Sequence, residues 1–364
     1  MNATNCFGRK PNTQRLDQLH DARVARAEGA LRTLRDHPTK GVDHSSEMCI
    51  VMTAANRPTD DIIIQSMAGL LTRQGKANVP LKITVAPNAT IAALSGEFRG
   101  LVEVYPTMIP DKLKDPFEKT SLLDNPTHSH YYIKHRSSYS TALRLCAMSE
   151  FILVVEDDVY PTEGFLDIIL ERVIPHLIGQ FDLSKLGSVK LYYGNFNWNQ
   201  LKIRDLFLFT IIMVPAAAAV SYILSYLFSL HKKSKIATVI LFLLWCGYIS
   251  LVMIAIDKVD TIPHLPGLYD FHDSCCSLAH LYSKQGAEKL AMYLEENQEY
   301  PIPVDLIIDH WTRDEMRHSY VYQPHLFQHI GAYTTRPWST TRGYDDMIIS
   351  PSFPEDIFDG EMFP

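Results

Sequence analysis

SYSTALRLCAMSEFILVVEDD, residues 138–158, carries two structural periods in succession. Residues 138–149 have helix-forming composition, and FILVVEDD (151–158) is an unbroken apolar run that ends in three carboxylates. A strand apolar at every position is one buried on both faces, as in the parallel sheets of α/β proteins. The same rhythm extends in both directions. MCIVMTAANRP (48–58) is a buried strand breaking into a polar loop, and IIIQSMAGLLTRQ (62–74) is the helix that follows. LKITVAPN (81–88), LVEVYP (101–106) and SVKLYY (188–193) read as further strands. Residues 107–130, with their prolines, read as a loop, and 161–177 as a helix that Thr162 is placed to cap. Alternating strands and helices predict an α/β domain with a mostly parallel sheet and helices on both faces.

The alternation is interrupted once. Leu206–Leu230 and Ile236–Ile256 are uncharged apolar runs separated only by HKKSK. Each is long enough to cross a bilayer, because ~20 residues at ~1.5 Å rise span the hydrocarbon layer. The short connection makes a two-helix transmembrane hairpin whose ends leave the membrane on the same side. Neither run holds a charged residue, which fits an anchor better than a transport path. Lys232, Lys233 and Lys235 at the tip (231–235) predict a cytosolic tip and polar parts on the lumenal or exterior side. The expected organisation is an N-terminal helical segment (1–46), a domain split into 47–205 and 257–335, the hairpin (206–256), and a C-terminal tail (336–364).

Composition narrows the function. The chain has 364 residues, a formal charge of −7 and 21% charged residues. Without the hairpin about 310 residues remain, enough for one large domain. Net negative charge and the lack of a basic stripe exclude a general nucleic-acid binder. Six cysteines include no Cys-x-x-Cys or zinc spacing; an oxidising compartment would pair some of them. Asn2 and Asn88 open glycosylation sequons. Met1–Glu47 has no apolar run to serve as a signal peptide, which leaves the hairpin as the expected insertion signal unless a segment lies upstream.

The chemistry converges on Glu156, Asp157 and Asp158. Three adjacent anions at the C-terminal end of a buried strand sit at the edge where open α/β sheets bind ligands. Their repulsion calls for a cation, and hard oxygen donors suit Mg²⁺ or Mn²⁺, able to bridge a carboxylate and a diphosphate. Alternation along the strand predicts Glu156 and Asp158 on one side. The alternative is a solvated acidic turn.

A helix followed by FILVVEDDV resembles the metal site of GT-A glycosyltransferases, whose Asp-x-Asp-type motif ends a strand in this way. PVDLIIDHW (303–311) and LFQHIGAY (326–333) resemble, in order and wording, segments of the branching N-acetylglucosaminyltransferases. A GT-A-like domain interrupted by a membrane hairpin resembles the Golgi GPI-glycan N-acetylgalactosaminyltransferase family. The resemblance implies Asp158 as a direct metal ligand, His329 as a second, and Glu156 beside them or, with Asp157, against the ribose, the sugar or metal-bound water. It implies Thr53, Asn56 and Arg57 along the uridine. It further implies inverting, metal-dependent transfer of GalNAc from UDP-GalNAc to the mannose of a GPI core, on GPI-anchored proteins or the GPI glycolipid at a lipid surface. Inversion needs a general base, for which Asp305 and Asp309 are the candidates; Asp305 is alternatively a helix cap, and Asp309 a partner of Arg313. UDP-GlcNAc as donor to an N-glycan, or a non-catalytic membrane scaffold, are the other readings. Family members carry a further span near the N-terminus that Met1–Glu47 does not show.

Overall fold

The computed structural model describes residues 13–38, 41–55, 60–85, 91, 96, 98–108, 126–192, 266–271, 277–297 and 302–330, with Tyr226, Trp245 and Gly247 as isolated positions. The chain forms two compact units, Met1–Gly194 with His264–Pro364, and Asn195–Pro263. The expected spans 206–230 and 236–256 lie outside the described residues except at those three isolated positions. Among the described residues no helix is long and apolar enough to cross a membrane.

In chain order the strands of the first unit are β1 (Val42–Asp43), β2 (Met48–Ala54), β3 (Ala77–Asn78), β4 (Leu81–Val85), β5 (Glu103–Pro106), β6 (Phe151–Glu156), β7 (Val159–Pro161), β8 (Leu186–Lys190), β9 (Gly267–Phe271), β10 (Ala279–Ser283), β11 (His318–Gln323) and β12 (Phe327–His329). The helices are α1 (Thr13–Asp36), α2 (Asp61–Thr72), α3 (Pro126–Leu145), α4 (Phe165–Ile168), a π-helical turn (Ile169–Val173) leading into α5 (Ile174–Gln180), α6 (Lys284–Glu296) and α7 (Val304–Asp314).

One eight-stranded sheet, in the order β5-β4-β2-β6-β10-β8-β11-β9, organises the unit. Strands β5, β4, β2 and β6 are parallel neighbours. The far half is mixed: β10 runs antiparallel to both β6 and β8, and β9 antiparallel to β11. The expected mostly parallel sheet therefore holds for β5, β4, β2, β6, β8 and β11, and β10 and β9 run the opposite way.

Pleating divides the core in two, because successive strand residues point to opposite faces. Phe151, Leu153 and Val155 of β6 join Met48, Ile50 and Met52 of β2 in a layer covered by α1, α2, α4 and α5. Ile152 and Val154, with Cys49 and Val51, face a second layer made by α3, α6 and α7, where Trp311 is fully buried. In this second layer Cys49 on β2 and Cys146, just past α3, form a disulfide with Cα atoms 5.6 Å apart.

Two local expectations change. Helix α3 begins at Pro126, inside the stretch read as loop; Ser137, Ser138 and Thr141 are among the residues on its buried side, which hides the helical period. The helix expected over 161–177 starts at Phe165, capped by Gly164 at φ 66° rather than by Thr162. The Thr162 N–H instead donates to the Leu326 carbonyl at 2.8 Å.

Candidate active site

The three carboxylates leave β6 in three directions, because the strand ends at Glu156 and turns through Asp157 and Asp158 into β7. Glu156 lies beside β10 and α3. Its backbone N–H donates to the Leu278 carbonyl, its Oε1 accepts from the Ser277 hydroxyl, and His135 Nε2 stands 3.7 Å away. Asp157 is a structural tie: its Oδ2 accepts from the Ala55 N–H at 2.8 Å, just past β2, and its carbonyl accepts from Ser66 Oγ on α2 at 2.8 Å. Asp158 turns toward the C-terminal segment, where His329 Nε2 is 3.2 Å from Oδ2.

Backbone pairing brings His329 there. Strand β12 runs antiparallel to β7 with His329 opposite Val159, Gln328 opposite Tyr160 and Phe327 opposite Pro161. The Ile330 N–H donates to the Asp158 carbonyl at 2.8 Å. This two-stranded ribbon joins residues 171 apart in sequence.

Negative charge concentrates at this edge. Burial pushes the Glu156 carboxyl up to about 8, and Asp158 adds to the shift; the Ser277 hydrogen bond opposes it, and Asp157 and Asp305 raise it further. Tyr192 is pushed up by burial and by the Asp158 charge. Tyr139 is pushed well up by burial first, then by Tyr282, with which it shares a 2.8 Å hydrogen bond, and by the charges of Glu156 and Asp305.

The donor set fits a hard divalent ion. Adjacent vertices of an octahedron with ~2.1 Å ligand bonds are ~3.0 Å apart, and the Asp158 oxygen and His329 nitrogen are separated by 3.2 Å. The carboxylate oxygen suits Mg²⁺ or Mn²⁺, and an imidazole beside it favours the softer Mn²⁺ of the two. Among the described residues no set of three or more His, Cys, Asp or Glu side chains surrounds one metal position. Asp158 and His329 would therefore supply two ligands to an ion bound between them. Glu156 is engaged by Ser277 and does not complete a trio.

The remaining expected residues are placed as follows. Thr53 lies opposite Glu156 in the β2–β6 register and its Oγ1 donates to the Val155 carbonyl at 3.4 Å. Asn56 and Arg57 lie outside the described residues. Asp305 sits in the first turn of α7, where the N-cap is Pro303, and its charge reaches Glu156. Asp309 is held at 2.7 Å by Arg313, four residues on. His135, Ser277 and Tyr192 escape sequence reading: His135 sits in a polar helix, and Ser277 and Tyr192 come to the acids only through strand order.

Comparison with known proteins adds a family. The sequence profile described as GPI-N-acetylgalactosamine transferase PGAP4 matches residues 97–328, well over half of the chain. No curated protein matches the chain. Among solved structures, a mannosyltransferase from Pyrobaculum calidifontis, in complex with GDP-Man and Mn²⁺, aligns at 13% identity with a TM-score of 0.26. That alignment covers 51% of this chain and 50% of the other.

Proposed function

This chain belongs to the GPI-N-acetylgalactosamine transferase PGAP4 family, and from that membership we propose that it is a metal-dependent, inverting glycosyltransferase that moves GalNAc from UDP-GalNAc to the mannose of a GPI-anchor core glycan. The observation that carries the reading is the convergence of Asp158 and His329 at the C-terminal end of β6, 3.2 Å apart. In this reading Asp158 and His329 would hold a divalent ion for the sugar-nucleotide donor. A bound Mn²⁺ or Mg²⁺ supplies charge neutralisation as the diphosphate departs.

The acceptor hydroxyl oxygen attacks the anomeric carbon as the bond from that carbon to the β-phosphate oxygen breaks, and the electron pair leaves with UDP. The hydroxyl proton passes to a carboxylate base. Asp305 is the better candidate, since its charge reaches Glu156 beside the site, whereas Asp309 is engaged by Arg313. Thr53, Asn56 and Arg57, at and beyond the end of β2, are assigned to the uridine side, and Asp157 holds β2 and α2 around it. One displacement inverts the anomeric centre and requires no covalent intermediate.

The enzyme is assigned to the Golgi membrane as a multi-pass protein, with the catalytic unit lumenal and residues 231–235 cytosolic. Support comes from the apolar runs, the lysines between them, and the buried Cys49–Cys146 disulfide, a bond that persists in oxidising compartments. A hairpin within the catalytic chain keeps it beside a glycolipid acceptor and raises effective concentration. Replacing 206–256 by a short soluble loop should preserve UDP-sugar hydrolysis and abolish transfer to membrane-embedded acceptor; equal loss of both would make the hairpin structural.

The deciding experiment is UDP release by the purified full chain across a panel of UDP-sugars, with purified GPI as acceptor and Mn²⁺ present or withheld. Release with UDP-GalNAc that requires both GPI and metal supports the proposal. Preference for UDP-GlcNAc with an N-glycan acceptor, or no metal-dependent UDP binding at all, overturns it in favour of a branching-type transferase or a scaffold.

A further inference from the structure

We infer that one face of α2, formed by Ser66, Gly69 and Arg73, is the template that seats the Asp158–His329 pair against the end of β2, which makes these three positioning residues for donor and metal binding. The inference rests on the reading that Asp158 and His329 take the ion. Positions three and seven residues after Ser66 return to the same side of a helix, and all three contact the segment Asp157–Pro161.

Ser66 is fully buried, and its hydroxyl donates to the Asp157 carbonyl at 2.8 Å, one residue before Asp158. Gly69 stands where helix propensity disfavours glycine, and packing explains it: a Cβ there would lie 2.8 Å from Pro161 Cδ and 3.2 Å from the Tyr160 ring. Arg73, the residue that closes the helix, lays its guanidinium 4.7 Å from the Tyr160 ring centroid and donates to the Pro161 carbonyl at 3.4 Å. Its own carbonyl accepts from the Gly164 N–H at 2.9 Å, so the chain is fastened on both sides of Thr162.

What α2 holds is β7, and β7 carries β12. Tyr160 and Pro161, the residues seated on Gly69, pair with Gln328 and Phe327, and Val159 pairs with His329 itself. A shift of β7 away from α2 therefore carries Asp158 and His329 together away from the end of β2, where the donor is assigned. Supporting residues of this kind change metal affinity by ~10–100-fold when altered.

The test is Mn²⁺ binding by the detergent-solubilised full chain with saturating UDP, followed by loss of the free-Mn²⁺ electron paramagnetic resonance signal. Gly69→Ala and Ser66→Ala are measured beside Asp158→Ala. Melting temperature without metal serves as the folding reference, and transfer rate is recorded against Mn²⁺ concentration. The expected result is an apparent Mn²⁺ affinity lowered ~10–100-fold in Gly69→Ala and in Ser66→Ala. The rate should recover at high Mn²⁺, which merely unfolded protein cannot do. Ser66→Ala removes no side-chain bulk beyond one hydroxyl and carries the test where Gly69→Ala does not fold. Wild-type Mn²⁺ affinity in both variants, alongside its loss in Asp158→Ala, overturns the template while leaving the metal site intact. Wild-type affinity in Asp158→Ala itself overturns the metal reading and the template together.

Discussion

Replacing Cys49 and Cys146 together by alanine should lower the stability of the catalytic unit by several kcal/mol. Both residues are buried, at 4% and 1% exposure, on opposite sides of the contact between β2 and the end of α3. The bond closes a loop with a sequence separation of 97. In the chain-entropy treatment, cross-linking a loop of that length removes ~16 cal/mol/K from the unfolded ensemble, or ~4.7 kcal/mol at 25 °C. For a unit of this size each kcal/mol moves the melting temperature by ~2–4 °C, so the double variant should melt lower by on the order of 10 °C. The assay is thermal unfolding of the detergent-solubilised full chain, with and without reductant. Reductant should bring wild type toward the variant and leave the variant unmoved. Alkylation and mass spectrometry of the denatured, unreduced protein should recover Cys49 and Cys146 in one linked peptide pair. Two freely alkylated thiols, or a melting change below ~2 °C, would refute the cross-link and withdraw its support for an oxidising compartment.

Other expectations follow from the site and the core. In metal-free protein the Glu156 carboxyl has a folded pKa of about 8, above the usual 4.5, so its share of stability is full below pH 4.5 and falls as pH rises toward 8. Glu156→Gln should then be more stable than wild type at pH 8 and about equal at pH 4.5 in metal-free thermal melts; since 20% of the side chain stays exposed, water screens part of the effect. Asp305→Asn should reduce kcat by ~10²–10⁴-fold, the range for loss of a general base. Asp309→Asn, which weakens a pair whose Arg313 side is exposed, should change stability by about 1 kcal/mol and leave kcat near wild type. A reversal in steady-state transfer assays would exchange the two roles. Trp311→Ala should cost ~3–5 kcal/mol in denaturant unfolding, because the ring is fully buried and also carries the Arg317 guanidinium 4.7 Å above it.

Much of this architecture was legible in the chain, for a physical reason. Strands β2, β4 and β6 are largely apolar because helices cover both faces, so each announces itself locally, and Glu156–Asp158 mark the end of β6. The antiparallel strands were not legible: nothing local in AHLYS, β10, fixes its direction or its place between β6 and β8. Strand β7 has three residues and exists only through pairing with β12, so no local period marks it. Helix α3 was shortened because its buried side includes serine and threonine. At the site, Asp158 and His329 were expected together from resemblance, while the diversion of Glu156 to Ser277 and of Asp157 to Ala55 depends on side-chain directions after the strand ends. His135 and Tyr192 gave no signal, since their nearness to the acids is created by the fold alone.

The central claim is that Asp158 and His329 grip the ion that meets a sugar-nucleotide diphosphate. A structure of the full chain with UDP and Mn²⁺, with the metal located by its anomalous scattering, tests it most directly. The account predicts one manganese bound to Asp158 Oδ2, His329 Nε2 and the diphosphate oxygens, with Asp305 open toward the acceptor side. Manganese and diphosphate bound away from the end of β6, with the Asp158–His329 hydrogen bond intact, would contradict it.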